Sequence, residues 1–163
     1  MRHIALALLA SAVLVASTGY ALGPEMIGKP APSFTLKSVD GRTSLSLADL
    51  RGQVVIIDFW ATWCVPCRHS LPQLATFESA QQGVKVIAIN IDDERANAMD
   101  FLKHNRVKLT ALYDEAKNVV GTYDVPAMPS ALVVDKRGVV RFVHGGYTER
   151  DIPAIVREAR SLL

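Results

Sequence analysis

Cysteine is nearly absent from this chain, with two residues in 163, and both fall within Cys64-Val65-Pro66-Cys67. So small a set excludes a disulfide-stapled scaffold, and with His69 as the single nearby histidine it falls short of the roughly four ligands of a structural zinc site. Charge of one sign is equally scarce. The 18 Lys and Arg against 16 Asp and Glu leave +2, and no run of five or six like charges occurs. Nucleic acid is therefore not an expected partner. Internal repeats and low-complexity tracts are missing from the rest of the chain, which excludes a solenoid. Long apolar runs are missing too, apart from one at the N-terminus.

That run, Ile4 to Ala16, follows a basic start at Arg2 and precedes small and polar residues, the layout of a secretory signal. An apolar stretch of roughly a dozen residues is short of the ~20 that span a bilayer. A signal over residues 1–21 and one domain over residues 22–163 are expected, with an uncleaved membrane anchor as the alternative. No cysteine follows the run, so a lipid anchor is not expected. The expected location is the periplasm or cell envelope, an oxidising space. There a structural disulfide usually closes a long loop, whereas Cys64 and Cys67 enclose two residues and restrict the unfolded chain very little. Reactivity explains this pair better than stability does.

Half of the residues are apolar and about a fifth are charged, the composition of a globular domain. Phe34–Leu36 and Ser44–Leu47, separated by Asp40-Gly41, predict a small β-hairpin, with a helical turn over 45–50. Val54 to Trp60 is a β-branched apolar run broken by one acid, Asp58, and predicts a strand covered on both faces. A helix is expected from Cys64 to about Gln82, with Pro72 inside it. Strands follow at 84–91 and 110–113, with helices at 93–105 and 114–123. An antiparallel pair at 131–134 and 139–143 turns on Asp135-Lys136-Arg137-Gly138. A last helix is expected from about Thr148, capped by Thr148 or Asp151. This order implies an α/β fold, a mixed sheet with helices on both faces.

Cys64 lies where a buried strand gives way to a helix, so its sulfur is expected beside the unpaired N–H groups of the first turn. Such surroundings favour thiolate and lower a cysteine pKa to roughly 3.5–7.5. Cys67, one turn further on and shielded, is the natural resolving thiol. Covalent haem attachment needs histidine directly after the second cysteine, and Arg68 stands there. His104 and His144 are expected to be solvated or capping residues. The acids Asp92-Asp93-Glu94 are expected to open a helix at its positive end rather than to bind a cation.

Asp58-Phe59-Trp60-Ala61-Thr62-Trp63-Cys64-Val65-Pro66-Cys67-Arg68 resembles the active-site segment of the thioredoxin superfamily. Within it, W-A-T-W-C-V-P-C-R is similar to the TlpA/ResA-like thiol-disulfide oxidoreductases of the bacterial envelope, which carry an AhpC/TSA-redoxin-like domain. The similarity is collinear from about Met26 to Leu163, through Ile27–Phe34, Pro72 and Met128-Pro129-Ser130. It implies a thioredoxin fold with an N-terminal β-hairpin and an inserted βα segment. It implies that Pro129, rather than Pro126, is the cis-proline beside the disulfide, with Met128 offering backbone groups to a substrate. Trp63 and Pro66 complete the implied substrate rim, while Trp60 belongs to the core.

By the same resemblance Asp58 takes the proton of Cys67, though the lysine that thioredoxins place opposite it is replaced by Ala88. A structural role for Asp58, ion-paired under the sheet, is the alternative. The implied activity is reduction of client disulfides, such as apocytochrome c or copper-site cysteines, by a monomer that needs no cofactor beyond its Cys64–Cys67 disulfide. Electrons would come from a membrane thiol reductant of the DsbD/CcdA kind. Two other readings keep the same residues: an oxidase or isomerase running the exchange in reverse, and a client or Cu(I) chaperone without turnover.

Overall fold

The computed structural model describes residues 22–163. The expected signal at 1–21 lies outside them. Among the described residues, no helix is long and apolar enough to cross a membrane.

Seven strands form one sheet: β1 (Thr35–Ser38), β2 (Ser44–Ser46), β3 (Val54–Trp60), β4 (Val84–Asn90), β5 (Thr110–Tyr113), β6 (Ser130–Val134) and β7 (Val140–Gly145). Their spatial order is β2-β1-β5-β4-β3-β6-β7. β3, β4 and β5 run parallel, and the other pairings are antiparallel. Four helices pack on it: α1 (Cys67–Ala80), α2 (Arg95–His104), α3 (Asn118–Thr122) and α4 (Asp151–Ser161). This is the mixed, two-faced α/β architecture that the sequence implies. β1–β2 is the N-terminal hairpin, and α2 with β5 is the inserted segment.

β3 organises the core. Every residue of it is buried, and alternation sends its two sets of side chains to opposite faces. Val55, Ile57 and Phe59 pack with the N-terminal segment and α3, through Met26, Val119 and Tyr123. Val54 and Ile56 pack with α1 and α4, and Trp60 packs with α1 and α2. Each such aliphatic or aromatic side chain contributes about 1.5–3 kcal/mol by leaving water. Asp58 stands between Ile56 and Trp60 on the same face and contributes no such term.

Several helix ends differ from expectation for local reasons. α1 begins at Cys67, not Cys64, because Cys67, Arg68 and His69 donate their N–H groups three residues back, to Cys64, Val65 and Pro66, in a tight lead-in turn. The helix still contains Pro72. α3 is shorter than 114–123, since residues 114–117 form a turn closed by Lys117 at φ 57°. α4 starts at Asp151 with Arg150 at its N-cap, so neither Thr148 nor Asp151 occupies that position. The Asp151 carboxylate reaches back instead to accept from the Thr148 N–H. Gly138 turns the β6–β7 hairpin at φ 77°, a conformation that suits glycine.

Candidate active site

Cys64 and Cys67 are joined as a disulfide at the start of α1, with their Cα atoms 5.3 Å apart. The Cys64 amide is held by the Ala61 carbonyl at 3.1 Å. The Cys67 N–H, which donates to the Cys64 carbonyl at 3.2 Å, also points at Cys64 Sγ from 3.2 Å. The expected donor beside the Cys64 sulfur is therefore in place. Cys64 is 4% exposed and Cys67 is fully buried, which makes Cys64 the sulfur nearer to solvent. Trp63 and Val65, each 63% exposed, form an apolar rim around it, and Pro66 is the N-cap residue of α1.

The Met128–Pro129 peptide is cis, and no cis bond precedes Pro126. Met128 packs against the buried cluster that contains both cysteines and Trp60. Ser130 anchors the loop, donating to the Ala127 carbonyl at 2.7 Å and accepting from the Gly146 N–H at 3.3 Å. The loop entering β6 thus brings Met128 to the cluster that holds the disulfide.

Asp58 pairs in register with Ala88 on β4 and Ala131 on β6. Neither neighbour offers a hydrogen bond or a charge from its side chain. Burial alone pushes the carboxyl up to about 8, and its Oδ2 finds no protein hydrogen-bond partner. Among the described residues no ion pair involves Asp58, so the ion-paired alternative has no support. Ala88, where the resemblance implies a lysine, stands directly beside Asp58 in the β3–β4 register.

Asp92 was expected to open a helix and does something else. It is buried, and its carboxylate accepts from the Thr62 N–H at 3.0 and 3.1 Å, from Thr62 Oγ1 at 2.9 Å and from Asn90 Nδ2 at 2.8 Å. The carboxylate therefore clamps the loop that carries Cys64. Trp60 pairs with Asn90 in the parallel β3–β4 ladder, so two residues further Thr62 meets Asp92. An acid two residues past the end of a neighbouring parallel strand was the available signal. Asp92→Ala is expected to cost about 1–3 kcal/mol in urea unfolding, because it leaves buried donors unpaired. It should also slow disulfide exchange roughly tenfold by loosening the loop. Thr62→Val, which removes one of these bonds, is expected to lose less, and unchanged rates in both variants would refute the clamp.

His144 likewise departs from a solvated or capping role. β7 lies beside α4, and there His144 Nε2 is 2.7 Å from Glu158 Oε2 and Nδ1 is 3.5 Å from Asp151 Oδ1. His104 behaves as expected, with Nδ1 2.7 Å from the Asp100 carbonyl in its own helix, and His69 is exposed. Among the described residues, no three metal-ligating side chains converge.

A disulfide at a helix start and a cis-proline loop leading into the neighbouring strand of this sheet are the arrangement of a thioredoxin-like thiol-disulfide oxidoreductase. The chain belongs to the AhpC/TSA family, whose sequence profile matches residues 27–143. It is 33% identical over 150 residues to the thiol-disulfide oxidoreductase ResA of Bacillus subtilis (strain 168), covering 84% of this chain and 82% of the relative. It is 38% identical over 122 residues to the thiol:disulfide interchange protein DsbE of Pseudomonas fluorescens biotype C, covering 74% and 67%. A solved Chlorobium tepidum protein assigned as a thiol:disulfide interchange protein DsbE superposes with a TM-score of 0.78 at 32% identity, over 83% of this chain and 96% of that one. Proteins carrying thiols or disulfides are accordingly the class of client.

Proposed function

We propose that the protein is a reductase of client disulfides in the cell envelope, exported by residues 1–21 and working as a monomer. The observation that carries this reading is the Cys64–Cys67 pair, with a donor N–H on the Cys64 sulfur and an unpartnered Asp58 in the core beneath the helix. In the reduced protein the Cys64 thiolate attacks one sulfur of a client disulfide, forming a mixed disulfide and releasing one client thiolate. Cys67 then loses its proton to the ionised form of Asp58, whose share grows as pH rises toward about 8, and attacks Cys64 Sγ. The second client thiolate leaves, two electrons have passed to the client, and Cys64–Cys67 is oxidised. No cofactor enters. Trp63, Pro66, Met128 and Pro129 form the surface against which an extended client segment lies.

The names of the relatives and the resemblance of W-A-T-W-C-V-P-C-R support the envelope setting. Apocytochrome c and copper-site cysteines suit it as clients, and a DsbD/CcdA-type membrane reductant suits it as electron donor. Reduction is preferred to oxidation because the Val65-Pro66 insert holds no histidine to stabilise the thiolate further. The test is the reduction potential of the Cys64–Cys67 couple, by equilibration in defined thiol buffers. A value of about −250 mV or lower is expected; a value near about −120 mV would instead make the protein a disulfide donor.

A further inference from the structure

Asp58, Ala131 and His144 form one cross-strand row over β3, β6 and β7, through the pairs Asp58↔Ala131 and Ala131↔His144. Side chains of such a row project from the same face of the sheet, here the face that α4 covers. The side chain between Asp58 and His144 is a single methyl, so β6 itself shields the carboxyl very little. The shield comes from α4. Its Ile152 and Ile155 are buried and pack with Ala131 and with Ile56, the residue two before Asp58 on the same face. Together with Pro129 they wall a gap of about 10 Å³ beside Asp58. A gap of that size is at the lower limit for one water, and apolar walls offer too few of the roughly two to four polar partners that would hold it. The dryness of Asp58 therefore depends on how firmly α4 is seated.

The polar edge of α4 meets β7 at one side chain. His144 Nε2 is 2.7 Å from Glu158 Oε2, and Nδ1 is 3.5 Å from Asp151 Oδ1. Asp151 and Glu158 stand about 10 Å apart along the helix axis, so one imidazole spans two turns of α4. A ring that donates from both nitrogens is the imidazolium, a single charge set between two carboxylates. All three side chains are half-buried, which makes such contacts stronger than ion pairs on the open surface. The Asp151 carboxylate also accepts from the Thr148 N–H, which ties the loop before α4 into the same contact. Among the described residues, no other ion pair joins α4 to the sheet.

We propose that His144 is a clasp: held between Asp151 and Glu158, it seats α4 against β7 and so keeps Ile152 and Ile155 closed over Asp58. His144 is thus a positioning residue that acts on the resolving step through the surroundings of Asp58. The inference rests on the reading of Asp58 as proton acceptor for Cys67. Opening the clasp lets water reach the carboxyl, and hydration favours its charged form, so the carboxyl falls from about 8 toward its ordinary 3.8. The ionised form that takes the Cys67 proton is then present at lower pH, as a weaker base. The proton still passes from Cys67 to Asp58, and His144 neither gives nor takes one. The ionisable groups around the clasp are Asp151 and Glu158 from α4, Tyr147 from the loop after β7, and Asp58 beyond Ala131.

The test titrates Asp58 directly, by NMR of its carboxyl carbon in the oxidised protein, with Asp58→Asn to assign the signal. His144→Leu is expected to lower the midpoint by about one pH unit, and Glu158→Gln, which weakens one contact and keeps the ring, by about half a unit. His144→Arg, whose guanidinium can donate to both carboxylates, should restore it. Val119→Ala lies in the core on the opposite face of the sheet, lowers stability without touching the clasp, and should leave the midpoint in place. A second arm mixes reduced protein with oxidised glutathione and follows resolution of the mixed disulfide by Cys67 between about pH 5 and about pH 9. There the half-rate pH of His144→Leu should drop by the same amount as the midpoint. An unmoved midpoint in His144→Leu, or an equal shift in Val119→Ala, overturns the clasp. A lowered midpoint beside an unmoved resolving profile supports the clasp and overturns instead the reading of Asp58 as proton acceptor.

Discussion

Cys64→Ser is expected to abolish disulfide exchange, while Cys67→Ser stalls it after the first step with the client bound to Cys64. A serine hydroxyl carries almost no oxyanion at neutral pH and forms no bond to sulfur that a second thiol could resolve, so no partial activity should remain. Loss of the fold cannot account for this outcome. The disulfide closes a loop of separation three, and for so short a loop the chain-entropy gain is only about 2 kcal/mol. Circular dichroism of both variants should match the parent. Incubation of Cys67→Ser with a disulfide peptide should yield a one-to-one adduct, located at Cys64 by mass spectrometry and cleared by dithiothreitol. Turnover by Cys64→Ser, or an adduct formed on Cys67 in the converse variant, would reverse the assignment of nucleophile and resolving thiol.

Asp58→Asn is expected to change the pH dependence of stability more than any other single substitution. Burial raises the folded carboxyl to about 8 from 3.8. Between these values the folded protein holds a proton that the unfolded chain has released, so stability falls as pH rises through the window and levels off above about pH 8. At about 1.4 kcal/mol per unit, the loss across the window is on the order of 5 kcal/mol. Asparagine has a similar shape and does not titrate. The stability of Asp58→Asn relative to the parent should therefore grow by several kcal/mol between pH 4 and pH 8, read from urea unfolding of the oxidised proteins. Parallel curves would mean that Asp58 is already ionised in the fold. The same carboxyl that weakens the core is the one assigned to Cys67, a cost in stability carried at a working site.

Much of this site was legible from local sequence. A β-branched run interrupted by one acid placed Asp58 inside β3, because an apolar strand covered on both faces leaves its lone carboxyl no water. The step from that strand into a helix put Cys64 beside an amide donor, and the residue directly before β6 distinguished Pro129 from Pro126. These inferences depend on neighbours within a few residues, where chain geometry leaves little freedom. The helix starts were less legible, because a tight turn and a full helical turn share the same residue preferences at Pro66 and at Asp114–Lys117.

What only the tertiary structure decided is which distant polar groups meet. Asp92 and Thr62 come together because β3 and β4 run parallel in one particular register. His144 faces Glu158 and Asp151 because β7 is an outer strand against which α4 packs. A histidine or an acid at the end of an element looks solvated in sequence, since exposed ends are where such residues ordinarily lie. By itself the sequence determined the strand order along the chain, the reactive pair and the buried acid, through periodicity and local backbone chemistry. The loop clamp and the polar row beyond Asp58 depend on strand register and helix placement, which are set by packing of the whole core.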